Sequence, residues 1–201
     1  CAFGRLALAA NTTGVSNSAF GHATLDASST NSYNSAFGAE ALTNNTADNN
    51  SAFGFRALKG TTTGTNNTAV GTNALRDQTT GGNNTALGKD ALVANTTASN
   101  NTAIGYNALG ANTTGANNVA IGHQTLYGAS GKANSSSNNV AVGYQAAMGS
   151  DAGAGLVAVG KGALRNVSDS GSYSVAIGFD SGFYASGSSN TFVGSEAGKG
   201  G

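Results

Sequence analysis

An all-β solenoid of about twelve short coils is the fold class that this 201-residue sequence predicts, and three features point to it. An Ala, a large apolar residue and a Gly recur together, with the glycines at Gly4, Gly21, Gly38, Gly54, Gly71, Gly88, Gly105, Gly122, Gly143, Gly160, Gly178 and Gly194. The steps between them are 17, 17, 16, 17, 17, 17, 17, 21, 17, 18 and 16 residues. A unit of that length is too short for helix-pair repeats, which need roughly 33 residues or more, but suits one turn of a β-solenoid. The third feature is composition: 31 Gly, no Pro and 9 % charged residues, against roughly 25 % charge in ordinary domains. Disordered chains tend to be rich in Pro and charge and need no regular spacing of apolar residues, so an ordered array is the better reading.

Each element of the coil follows from the best-formed units. Asn67-Thr68-Ala69-Val70 predicts a first strand, and Gly71 with two variable residues predicts a turn. Ala74-Leu75 predicts a second strand, and an Asn/Thr/Gly loop of the kind Ala111-Asn112-Thr113-Thr114-Gly115-Ala116-Asn117 returns the chain to the next coil. The two-residue slot after the Gly holds Arg5, His22, Glu40, Arg56, Lys89, Asp90, His123, Lys161, Asp180 and Glu196, as an exposed turn would.

Stacked coils lie about 4.7–4.8 Å apart, so every slot becomes a ladder. One runs through Phe3, Phe20, Phe37 and Phe53 and continues as Val70, Leu87, Ile104, Ile121, Val142, Val159, Ile177 and Val193. A second is Leu8, Leu25, Leu42, Leu58, Leu75, Leu92, Leu109, Leu126, Ala147 and Leu164. A third, of Asn17, Asn34, Asn50, Asn67, Asn84, Asn101, Asn118 and Asn139, is expected to hydrogen-bond along the axis. Neighbours on a strand face opposite ways, so either the Ala column or the large apolar column points away from the coil interior. An outward apolar stripe is a surface that soluble proteins cover, which predicts association with further copies of the chain.

Val119-Ala120-Ile121-Gly122, Val140-Ala141-Val142-Gly143 and Ser174-Val175-Ala176-Ile177-Gly178 resemble the head repeats of trimeric autotransporter adhesins, the YadA-like head. The longer unit Asn101-Thr102-Ala103-Ile104-Gly105-Tyr106-Asn107-Ala108-Leu109, with its Asn-Thr-Thr-Gly loop, is also similar to repeats of phage and bacterial tail-fibre proteins. The resemblance covers essentially the whole chain. It implies a left-handed parallel β-roll, three chains side by side, and an extracellular fibre on a cell or virion surface. Its partner would be a host or surface receptor, a matrix protein or a glycan. The 17-residue unit is longer than the coil of adhesin heads.

Residues 1–201 are expected to form a single array, a window from a longer fibre, with a loop insertion at residues 127–138 where one step lengthens to 21. Insertions in solenoids map to loops, often on a binding face. Tyr127 and Lys132 in that insertion, with Phe179, Phe183 and Tyr184 after it, are the candidate binding residues; the alternative is a tolerated surface insertion. After the insertion the Leu ladder fades, with Gly182 and Gly198 in Leu slots.

Other function classes find little support. Nine basic and nine acidic residues leave no basic patch for phosphates, and no apolar run approaches the ~20 residues of a membrane span. His22 and His123 are about a hundred residues apart, the acidic residues are scattered, and no catalytic, metal or cofactor site is expected. The lone Cys1 stands in a Ser/Thr slot of the repeat and makes no internal disulfide framework. Ten Asn-x-Ser/Thr sequences, those at Asn11, Asn66, Asn83 and Asn112 among them, are what an Asn/Thr-rich repeat produces automatically. Two alternatives to a fibrous adhesin or tail-fibre shaft are a self-assembling filament without a specific ligand and an ice-binding array of the Thr12-Thr13, Thr62-Thr63, Thr96-Thr97 and Thr113-Thr114 pairs.

Overall fold

A computed structural model describes residues 1–128, 135–149, 153–167 and 172–200. The strands are β1 (Ala2–Phe3), β2 (Ser18–Phe20), β3 (Ser35–Phe37), β4 (Ser51–Phe53), β5 (Thr68–Val70) and β6 (Thr85–Leu87). They continue as β7 (Thr102–Ile104), β8 (Val119–Ile121), β9 (Val140–Val142), β10 (Val157–Val159), β11 (Val175–Ile177) and β12 (Thr191–Val193). All twelve form one parallel sheet in sequence order, and the chain makes a β-solenoid of about eleven turns. No helix occurs among the described residues. Register follows the repeat across every step: Ala52 pairs with Ala69 and Phe53 with Val70 even where the column changes from aromatic to aliphatic. The 21-residue step keeps it too, Ala120 opposite Ala141, so the extra residues are absorbed outside the sheet.

Each strand is only three residues long in the full coils, and its middle residue points inward. Ala19, Ala36, Ala52, Ala69, Ala86, Ala103, Ala120, Ala141, Ala158 and Ala176 are fully buried. The residues on either side of each Ala face outward. A methyl group is all that the inside tolerates here, because the Leu ladder fills the same space from the opposite wall.

The expected second strand is absent. Residues 72–77 form turns instead, and Asn73 and Leu75 lie in left-handed backbone with φ of 57° and 51°. The same conformation recurs at every residue of the Leu ladder from Leu8 to Leu164. For a non-glycine residue that geometry costs on the order of 1–2 kcal/mol. Complete burial of a Leu side chain stabilises by about 1.5–3 kcal/mol, which offsets the strain and selects a large apolar residue for the slot. Axial pairing survives without a strand: Asn73 N–H donates to the Phe55 carbonyl of the preceding coil (2.9 Å) and Leu75 N–H to Ala91 of the following one (3.0 Å).

Gly71, with φ of 133°, marks the corner between strand and turns. A Cβ there would sit 2.6 Å from the carbonyl of Gly88 in the next coil, so the glycine column lets successive corners nest.

The Asn ladder is buried, and its hydrogen bonds are mostly to backbone rather than between amides. Asn67 Oδ1 accepts from Asn84 N–H (3.0 Å), and Asn84 Oδ1 from Asn101 N–H (2.9 Å). Asn84 Nδ2 donates to the Ala98 carbonyl (2.8 Å), pinning the return loop. A second buried polar column, unforeseen from the sequence, stands seven residues after the corner glycines: Asn45, Thr61, Gln78, Asn95 and Asn112. Gln78 Oε1 accepts from both Asn84 and Asn95 Nδ2 (3.1 and 3.2 Å), joining the two columns.

The fading of the Leu ladder has a packing cause. In the last coil Phe192 takes the inward slot held by Ala elsewhere. A Cβ added at Gly182 would meet the Phe192 ring at 2.8 Å, and one at Gly198 would overlap it. The two glycines thus make room for an inward ring. Volume lost from one column is supplied by another.

Candidate functional site

The coil presents two surfaces of different chemistry: the outer face of the sheet, and the turn face formed by residues one to six places after each corner glycine.

On the sheet face the predicted ladder is outward throughout. Phe20 and Phe37 stack with centroids 4.7 Å apart and planes 6° apart, and Phe37 and Phe53 with 5.0 Å and 6°. Phe3 stands further off Phe20, at 6.4 Å and 29°. Val70 remains 37 % exposed and Leu87 50 %, so stacking covers the flanks of these side chains and leaves their ends in solvent. Ile104, Ile121 and Val142 continue the same column, while Leu75, Leu92 and Leu109 are wholly buried on the opposite wall. Asn67, Asn84 and Asn101 are likewise buried and act within the coil. A second outward column on the sheet was not foreseen from the sequence. It is Ser in β2–β4, Thr in β5–β7 and Val in β8–β11, so both outward columns of those last four strands are apolar. Alternation on either side of the Ala would have revealed it.

The turn face gathers the charge. Fourteen of the eighteen charged residues and both histidines lie within six places after a corner glycine. Glu40, Arg56, Lys59, Arg76 and Asp77 cluster over three consecutive coils. Lys59 Nζ donates to Glu40 Oε2 at 2.7 Å and Arg56 Nε to the same oxygen at 3.0 Å. Those two bonds, Lys59 first, hold the Glu40 carboxyl below its ordinary value. Arg76 engages Asp77 with two nitrogens, at 2.7 and 2.6 Å, and its own pKa is raised by that partner. Asn44, Arg56, Lys59, Gly60, Arg76 and Asp77 line an open groove of about 510 Å³.

Beside the groove runs a column of residues immediately after the corner glycines: Phe55, Thr72, Lys89, Tyr106, His123, Tyr144, Lys161 and Phe179. Arg56 lies 4.6 Å over the Phe55 ring. Lys89 Nζ lies 5.6 Å over Tyr106, which is followed by His123 at 5.1 Å and Tyr144 at 5.2 Å. Lys161 lies 5.3 Å over Phe179. From the sequence, His22 and His123 share one exposed turn slot; reading the aromatic residues of that slot coil by coil was the signal that would have exposed the ladder.

Of the candidate binding residues, Phe179, Phe183 and Tyr184 come together in one coil, with Phe183 and Tyr184 edge to face at 4.5 Å and Arg165 5.5 Å over Phe183. Tyr127 occupies the column of Phe183 three coils away and does not join them. Lys132 lies outside the described residues, as does the middle of the insertion. The threonines of the first loop position are structural: Thr62 donates to the Thr79 carbonyl and Thr79 to that of Thr96, each at 3.1 Å. No group of His, Cys, Asp and Glu suited to a metal occurs among the described residues, and no helix there is long and apolar enough to cross a membrane.

No known family model, curated protein or solved structure matches this chain.

Proposed function

We propose that the chain is the shaft of an extracellular fibre, an adhesin or tail-fibre protein, in which three copies lie side by side as left-handed parallel β-rolls. Its work is structural and attaching; no reaction is assigned to it. The single observation that supports this reading is the outer sheet face, where an uninterrupted apolar column runs the length of the array and broadens to two columns over β8–β11. Monomeric soluble proteins rarely leave so long an apolar stripe in water, and further copies of the same straight face are its natural cover. Repeated surfaces on such a fibre would attach by avidity.

Mass in solution is the test. Analytical ultracentrifugation of the chain at micromolar concentration should give three times the chain mass of 19.5 kDa. A stable monomer would overturn the proposal, and a stable dimer or tetramer would overturn its threefold form.

A further inference from the structure

We infer that the turn face is a binding surface for a linear acidic polysaccharide lying along the solenoid axis, with its carboxylates on Arg56, Lys59 and Arg76 and its sugars along the Lys89–Tyr106–His123–Tyr144 ladder. This surface is separate from the apolar sheet face, so the inference does not depend on how many chains associate.

Three observations carry it. The groove over coils three to five contains three of the nine cations of the chain, yet Glu40 alone answers two of them. Arg56, Lys59 and Arg76 keep side-chain exposures of 41, 36 and 39 %, and such exposed ion pairs contribute little, so an incoming carboxylate exchanges with them at small cost. Arg in particular presents a planar fork that matches a carboxylate with two hydrogen bonds. Gly60 lies among the lining residues, and a Cβ there would meet the Arg76 carbonyl at 2.8 Å, so the glycine lets the coils of Lys59 and Arg76 pack closely.

The second observation is continuity. Lys89, in the coil after Arg76, opens the ladder, and Tyr106, His123 and Tyr144 follow at one coil each. Their rings face one another, so what they offer outward is a row of polar edges: a phenol hydroxyl, an imidazole and a second phenol. Each can both donate and accept a hydrogen bond, which suits hydroxyl-rich sugars.

The third is spacing. Successive ring centroids lie 5.1–5.2 Å apart on coils stacked about 4.7–4.8 Å apart, close to the advance per sugar of an extended β-linked polysaccharide. A polymer lying along the axis meets one contact per coil, so individually weak contacts add. Nucleic acid is disfavoured because Glu40, Asp77 and Asp90 are interleaved with the cations and would oppose a dense row of phosphates.

The experiment is isothermal calorimetry of the whole chain with three probes: β-1,4-linked hexamannuronate, cellohexaose of the same linkage without carboxylates, and hexathymidylate. Hexamannuronate should bind, with affinity falling at raised salt, while cellohexaose and hexathymidylate bind at least tenfold more weakly. The double variant R56A/R76A and the double variant Y106A/Y144A, each checked for an unchanged circular-dichroism melt, should each lose at least tenfold for hexamannuronate. Absence of hexamannuronate binding at millimolar concentration would overturn the inference. So would equal binding of either control probe, or unchanged affinity in R56A/R76A. Failure here with a trimeric mass would leave the fibre proposal standing, and a monomer that binds hexamannuronate would do the reverse.

Discussion

At the scale of single residues, the coil is specified by side chains that take the place of backbone partners. Asn84 is the clearest case: its Oδ1 accepts from Asn101 N–H while its Nδ2 donates to Ala98. Replacing it by Leu leaves the buried Asn101 N–H without its acceptor, at about 1–3 kcal/mol, and takes from the Ala98 carbonyl one of two donors, the other being Asn95 Nδ2 at 3.1 Å. N84L should therefore lose on the order of 2 kcal/mol in a urea titration; a loss below about 1 kcal/mol would show that the ladder is ornamental to stability. The ladder itself was legible in the sequence as Asn four places before each corner glycine. Its bonding was not, because side-chain-to-backbone pairing depends on the left-handed residue that precedes each buried Asn, such as Asn66 with φ of 59° or Tyr33 with 62°. Local propensity gives no notice of that turn, and the same blindness produced the mistaken second strand at Ala74-Leu75. The apolar pair Ala74-Leu75 looked like a strand, whereas both are buried from turns with left-handed Asn73 and Leu75.

Among elements, the coil conserves its interior volume rather than its residue pattern. Phe192 enters from the sheet wall where Gly182 and Gly198 withdraw from the opposite one. The sequence displayed both departures, but only their juxtaposition showed them to be one exchange. F192A should open a cavity and G182L should clash with the ring, each costing about 2–3 kcal/mol. The combination F192A/G182L restores the ordinary Ala and Leu of the repeat and should melt higher than either single variant. A double variant whose losses simply add would refute the exchange.

For the whole molecule, the repeat makes a one-dimensional object in which each coil touches its neighbours and little else, so stability accumulates through nearest-neighbour interfaces. That architecture was readable from the spacing of twelve glycines, and the buried Ala column then decides that the Phe and aliphatic column is the outward one, a choice the sequence left open. The charged turn slot after each glycine was readable as well; its ion pairs and aromatic ladder were not, since they form only when the coils stack. The proposed association of chains belongs to this scale as well. Leu87 is half exposed within the chain, so L87K should leave the melt of an isolated chain within about 0.5 kcal/mol while lowering the mass measured by ultracentrifugation. An unchanged oligomer would place the contact surface elsewhere.

The bonds that join one coil to the next, such as Thr68 to Asn84 and Gly71 to Phe53, all run along the axis. A pull on the two ends of the array therefore loads the coil interfaces in series, and they open singly, as the teeth of a zip do. Each opening frees a repeat of 17 residues, about 60 Å of chain once drawn straight. Under tension the array becomes an extensible tether that yields in steps and lengthens well before any covalent bond is strained.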